Sequence, residues 1–542
     1  MRTTPAVACL LGLVMAAACG RQDAPPDSLA TATPIKHLVV IFDENNSFDH
    51  YFATYPVAAN PAGEPAFTAA AETPAVNGLA GTLLTRNPNF TNRENGTLAN
   101  NPFRLDRTQA ATADQSHDYT EEQLAYDDGA ADLFPKYTGA GLGGGTTAFF
   151  TPAVVMGYYD GNTVTALWNY AQHFAMSDNA YSDVYGPSTP GALSLISGQT
   201  NGWVETKSVD STARVHDGQG GLTLISDAGP ALDICSDALS YLNQGTMSGR
   251  NVGDLLTRAG VSWGWFQGGF DLMAGSAGRA CSRTTQSRIA LKTSPDYIPH
   301  HEPFQYYRST ANPMHARPSS TAAIGRSGDP ANHQYDIHDF FAAVRAGDFP
   351  AVAFLKPPAF QDGHAGYSDP LDEQTFLTQV VNFVEESPEW PRTAIVILYD
   401  DSDGWYDHQT APVLNASFDA RDRLNGSGAC GVKGKSAQLG GVKGGGAVEG
   451  RCGPGPRQPF LVVSPWARPN YVDHALITQS SVLRFIEDNW LGGTRLGGGS
   501  FDASAGSIEG LFDFAGQGKT PRLFLDESFG TPVAAPANRL PG

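Results

Sequence analysis

Basic residues are scarce in this chain: 35 Lys and Arg stand against 55 Asp and Glu, a net charge of −20. So acidic a surface argues against non-specific nucleic-acid binding, which needs basic patches to neutralise phosphates. A phosphorylated ligand would need local positive charge, and a bound metal is one source of it. The apolar stretch Ala6–Ala18 is too short to cross a bilayer as a mature helix. Cysteine is sparse, six in 542 residues, with no CxxC pair and no Cys/His spacing of a zinc knuckle. No internal repeat is visible, and no phosphate-binding P-loop either. The nearest match, "ACGVKGKS" at Ala429–Ser436, has alanine for the first glycine and no strand before it. What is present, 41% apolar and 17% charged residues with 60 Gly and 37 Pro, describes a globular protein with many ordered loops.

The N-terminus carries an export signal. Arg2 precedes Ala6–Ala18, which has the length of a signal h-region. Ala16-Ala17-Ala18-Cys19-Gly20 then places small residues before a cysteine, as in a bacterial lipoprotein cleavage site. Cys19 would become a lipidated N-terminus and a membrane anchor; cleavage near Ala18 without lipid is the alternative. Residues 1–18 read as a signal peptide and residues 19–34 as a tether, leading to the periplasm, the outer membrane or the medium. An oxidising compartment favours bridges among Cys235, Cys281, Cys430 and Cys452. Loop closure is easiest between sequence neighbours, which pairs Cys235 with Cys281 and Cys430 with Cys452.

Three continuous apolar runs predict buried strands: Leu38–Phe42, Ala394–Tyr399 and Phe460–Val463. Apolar spacing predicts helices over Val164–Phe174 and Ser481–Trp490. Residues 56–101 read as a long surface insertion, 425–456 as a Gly-rich loop, and 531–542 as a disordered Pro/Ala tail, which leaves 35–530 as the folded domain. Buried strands separated by helices and loops imply an α/β fold with a mainly parallel or mixed sheet. In such folds chemistry collects at the carboxyl ends of the strands. The first strand ends at Asp43-Glu44-Asn45 and the second at Asp400-Asp401-Ser402-Asp403.

Carboxylates brought together in this way repel one another, and a divalent cation relieves the conflict. Carboxylate and amide oxygens suit Mg, Mn, Ca or Zn. The bland reading of "DDSD" is a solvated turn with an Asx cap. In "YGPSTPG", Tyr185–Gly191, Ser188 sits in a rigid turn, and Pro190 rules out a Gly-x-Ser-x-Gly elbow. Ser188 or Thr189 could simply cap the helix that follows. A hydroxyl beside a metal could instead lose its proton and attack phosphorus, and on chemistry alone Thr189 competes with Ser188. His117, His300, His301, His364 and His408 lie in polar, turn-rich segments and are candidate phosphate ligands and general acids.

"HLVVIFDENNSFDHYF", "DNAYSDVYGPSTPGALSLISGQT", "YDDSDGWYDH" and "GPRQPFLVVSPWARPNYVDH", in this order, resemble the bacterial phosphoesterase family of acid phosphatases and phospholipases C. The resemblance runs from about Ile35 to Trp490 and implies an alkaline-phosphatase-like three-layer α/β sandwich with long loop insertions. It implies one divalent metal ion held by Glu44, Asn45, Ser188, Asp400 and Asp401, with Ser188 also the nucleophile. His117, His301 and His364 fall where the family places histidines around the phosphate. Asn46 is a departure, since the common motif has arginine there. Threonine is the nucleophile in many phospholipases C, so serine in "GPSTPG" looks closer to the acid phosphatase branch. The implied activity is hydrolysis of a phosphate ester through a phosphoserine, by a phosphatase of broad specificity. A phospholipase C is the alternative, and a catalytically silent surface lipoprotein the rival from another class.

Overall fold

The long apolar runs form the middle of the molecule because each is apolar on both faces, as a strand covered from both sides must be. The computed structural model describes residue 1 and residues 30–139, 148–236, 241–274, 281–516 and 519–535. The signal, Cys19 and most of the tether therefore lie outside the described residues. The chain divides into Met1–Ala30 and Thr31–Gly542, and everything below concerns the larger unit.

Its main sheet has eight strands: β1 (His37–Asp43), β2 (Ala175–Ser177), β3 (Trp263–Gln267), β4 (Gln334–Asp336), β5 (Val352–Lys356), β6 (Thr393–Tyr399), β7 (Phe460–Val463) and β8 (Tyr471–Asp473). Their spatial order is β4-β3-β5-β1-β6-β7-β2-β8. From β4 to β6 all neighbours are parallel. β7 is antiparallel to both β6 and β2, and β8 runs parallel to β2. One reversed strand thus interrupts an otherwise parallel sheet, as the sequence leads one to expect.

The principal helices are α1 (Phe48–Phe52), α2 (Thr165–His173), α3 (Ser188–Ser197), α4 (Val252–Ala259), α5 (Ile337–Ala346), α6 (Pro370–Glu386) and α7 (Ser480–Trp490). Alternate residues of β3 show how they cover both faces. The Trp263 indole donates to Thr257 of α4, whereas Phe266 packs edge-on against Phe340 of α5. α3 and α7 join α4 on its side; α6 meets α5 through Phe383 and packs on α2. The result is three layers.

Both predicted disulfides are present, Cys235–Cys281 and Cys430–Cys452. Ala429–Ser436 carries neither strand nor helix, which disposes of the P-loop resemblance. The tail is tied down at its start, where the Val533 amide donates to the Phe524 carbonyl and Leu525 bridges Pro532; residues 536–542 lie outside the described residues. Sequence reasoning missed five strands. Three of them, β2, β4 and β8, are only three residues long and too short to show any periodicity.

Candidate active site

β1 and β6 are hydrogen-bonded neighbours up to the pair Asp43 and Tyr399, so their polar ends emerge side by side. Backbone bonds continue beyond the strands, from Asp400 N to Asp43 O at 3.2 Å and from Asn46 N to Asp401 O at 3.0 Å. Asn45 has φ of +58°, the left-handed region that asparagine tolerates better than most residues. This turn defeats the strand's alternation, and Glu44 and Asn45 present oxygens to the same atom, Ser188 Oγ.

Ser188 is the first residue of α3, with Pro187 in the cap position, and it makes no capping hydrogen bond. That corrects the capping alternative. Its Oγ instead lies 3.0 Å from Glu44 Oε2, 3.2 Å from Asp401 Oδ2 and 3.4 Å from Asn45 Oδ1. Gly191, one turn on, lets α3 approach this closely: a Cβ there would stand 2.2 Å from the Asp400 carbonyl oxygen. Thr189 is engaged elsewhere, donating from both N and Oγ1 to Asp227 Oδ1 at 3.0 Å. Of the two adjacent hydroxyls, only that of Ser188 faces Glu44 and Asp401.

The "DDSD" segment is indeed a turn, with Asp403 N donating to Asp401 Oδ1 at 2.7 Å, but it is buried rather than solvated. Asp401 thereby caps with one oxygen and faces Ser188 with the other. Asp400 Oδ1 accepts from the amides of Asn45 and Asp401, both at 2.8 Å, while its Oδ2 is buried without a partner. Glu44, Asn45, Ser188, Asp400 and Asp401 are all at most 2% exposed. Burial pushes the Asp401 carboxyl well above the usual range, helped by Asp400, Glu122 and Glu44. Burial and Glu44 push Asp400 up to about 7. A single hydroxyl proton cannot satisfy so many acceptors. An orphaned buried oxygen and an all-oxygen donor set fit a hard divalent cation, which would let these carboxylates ionise together.

Three of the predicted histidines surround this cluster. His301 Nδ1 lies 3.0 Å from Glu44 Oε1, and burial, with His300 and Lys356 adding, holds its imidazole neutral. His300 lies 3.8 Å from Asp227, so of the two neighbours it is His301 that touches Glu44. His117 Nδ1 lies 3.3 Å from Asp403 Oδ1, and that oxygen in turn accepts from the Asn45 side-chain Nδ2 at 3.0 Å. His364 packs edge-on against His117, their centroids 6.2 Å apart, and stacks on Tyr367. His408 belongs to a different place. It pairs with Asp49 at 2.6 Å, beside Asp407 and the buried Arg457, a network that already contains its own cation.

Sequence reasoning overlooked Lys356 and Glu122. Lys356 ends β5 and pairs with Glu44 Oε1. Its signal was available, as a charge closing the apolar run Val352–Leu355 in the manner of the other strand ends. Glu122 accepts from Gly186 N at 2.9 Å and from Ser402 Oγ at 2.6 Å, clamping the Ser188 turn to the "DDSD" turn. It lies inside a short helix, and nothing in the sequence marks it.

The family match and the relatives that follow make this chain a hydrolase acting on phosphoric ester bonds. Residues 35–491 match the model of the Phosphoesterase family, and the chain belongs to that family. It is similar to phospholipase C A of Mycobacterium tuberculosis H37Rv, 24% identical over 465 residues that cover 84% of this chain and 72% of the relative. It is also similar to the non-hemolytic phospholipase C of Pseudomonas aeruginosa, 22% identical over 464 residues. There the match covers 84% of this chain but only 54% of the relative, about half its length. Among solved structures, a Vibrio parahaemolyticus protein in the alkaline phosphatase superfamily aligns over 63% of this chain and 62% of its own, at 13% identity and a TM-score of 0.27. That likeness is too slight to add to the fold described above.

Proposed function

We propose that this is an exported phosphomonoesterase of broad specificity that uses Ser188 as nucleophile. The observation that carries the reading is the Ser188 hydroxyl, left uncapped at a helix start and aimed into a buried ring of acidic and amide oxygens. Glu44, Asn45, Ser188, Asp400 and Asp401 would hold one divalent ion, and Zn, Mg, Mn and Ca all accept such donors. When bound, that ion supplies positive charge that lowers the hydroxyl pKa and offsets charge on the transferring phosphoryl group.

The residues then divide the work. Ser188 Oγ gives up its proton to a neighbouring carboxylate and forms a bond to phosphorus as the ester P–O bond breaks. His364, with His117 edge-on beside it, would protonate the departing alkoxide. Water then attacks the phosphoserine, the P–Oγ bond breaks, and Ser188 regains its proton. His117 and the N-terminal amides of α3 favour the anion. Lipidation at Cys19 would hold the enzyme at a membrane.

A second reading, a phospholipase C, is favoured by the names of the curated relatives. Assaying an aryl phosphate against phosphatidylcholine separates the two. Hydrolysis of the aryl phosphate is expected. Activity confined to the lipid would reverse the order, and turnover of neither would leave the silent lipoprotein.

A further inference from the structure

Lys356 is a charge that the proposed chemistry does not call on, yet it is buried at 1% exposure beside the centre. β5 pairs with β1 through Ile41 and Leu355, so the next residue of β5 reaches the end of β1 just as the chain turns into Glu44. The ammonium ion-pairs with Glu44 Oε1, lies 3.5 Å from the Asp43 carbonyl oxygen and sits 4.8 Å above the Phe42 ring centroid.

The surroundings of that ammonium are themselves a metal-like arrangement. Glu44, His301 and Asp362 each offer a ligand atom, all within 4.8 Å of one another and all buried. Glu44 is common to this triad and to the Ser188 cluster, turning Oε2 to Ser188 and Oε1 to Lys356 and His301. Three other groupings of this kind do not compare: His117, His364 and Asp403 share no carboxylate with the Ser188 cluster. Asp49, Asp407 and His408 are neutralised by Arg457, and the group around Asp233 includes Cys235, which is spent in a disulfide.

We propose that Lys356 is a built-in cation that takes the place of a second metal ion at Glu44, His301 and Asp362, and so keeps a second ion from sharing the Glu44 carboxylate. The proposal rests on the metal reading given above. Two divalent ions sharing the Glu44 carboxylate would put one of them against the ammonium, and repulsion at that range in a buried site is prohibitive. The lysine also pins one oxygen of Glu44, leaving the other fixed toward Ser188, which makes it a positioning residue rather than a catalytic one.

The test counts Mn²⁺ on the purified, fully oxidised chain by equilibrium dialysis and elemental analysis, with electron paramagnetic resonance to distinguish isolated from coupled ions. Wild type is expected to hold one Mn²⁺ per chain with an uncoupled spectrum. Lys356→Met and Lys356→Gln are expected to hold two, with a coupled spectrum, while Lys356→Arg, which keeps the charge, stays at one. Two ions in wild type, or one in folded Lys356→Met and Lys356→Gln, would overturn the role given to Lys356 and leave the single-ion site standing. No ion in wild type would overturn the metal reading itself. If neither neutral variant folds, the wild-type count at saturating Mn²⁺ still decides, since a second coupled ion there contradicts the proposal.

Discussion

Ser188 has one proton to donate and three oxygens within 3.4 Å to receive it, whereas an ordinary helix-start serine spends its oxygen on a backbone amide. The histidines nearby are sorted by their partners in the same way. His301 is neutral against Glu44 and Lys356. Burial lowers the His117 pKa, but Asp403, Asp114, Asp227 and Glu122 more than reverse that and raise it to about 10 from an ordinary 6.5. A histidine raised in the folded state contributes stability that is full below the unfolded value and fades as pH rises through the folded one. Wild type should therefore exceed His117→Gln in thermal stability most clearly below about pH 6.5, and the gap should close through about pH 10. Melting curves across that range check this, and a gap independent of pH would contradict it. The clusters Asp43–Asn45 and Asp400–Asp403 were legible in the sequence because polar residues closing long apolar runs stand out, whereas singling out Glu44, Asn45, Asp400 and Asp401 within them rested on the family resemblance. The preference for His301 over His300, and for Ser188 over Thr189, had a physical cause only once Asp227 was seen to engage the other two residues.

At the level of elements, the site depends on how closely α3 can lie against the end of β6. Gly191 sets that distance, because the atom a side chain would meet is the Asp400 carbonyl oxygen, part of the backbone that also carries Asp401. Gly191→Ala should push the start of α3 outward. We expect a cost of about 1–3 kcal/mol in stability and a loss of activity of about a hundredfold, as a displacement on the order of 1 Å produces. Chemical denaturation and steady-state kinetics measure both, and an alanine variant with wild-type turnover would contradict the close approach. β1, β6 and β7 were visible in advance because each carries a continuous apolar run. The three-residue strands β2, β4 and β8 were not, since tertiary pairing rather than local pattern makes them strands. β5 lies between these cases: its register delivers Lys356 to Glu44, a contact that no single segment could announce.

Across the whole molecule, residues far apart in sequence converge because a nearly parallel sheet sends its carboxyl ends to one edge, where the β1, β5 and β6 ends and the start of α3 meet. In a chain of net charge −20, two buried cations sit among carboxylates, Lys356 at the proposed metal centre and Arg457 between Asp49 and Asp407. The Cys430–Cys452 bridge closes the Gly-rich loop, and the Cys452 carbonyl accepts from the Tyr185 amide just ahead of the Ser188 turn. Loop, sheet edge and helix start thus act together to hold one hydroxyl in place. The most direct measurement is to acid-quench the metal-loaded enzyme during turnover of an aryl phosphate and map the phosphorylated peptide by mass spectrometry, with Ser188→Ala in parallel. Phosphate on Ser188, and none with turnover lost in the variant, is the expected result. Phosphate on Thr189, or full turnover by Ser188→Ala, would contradict it.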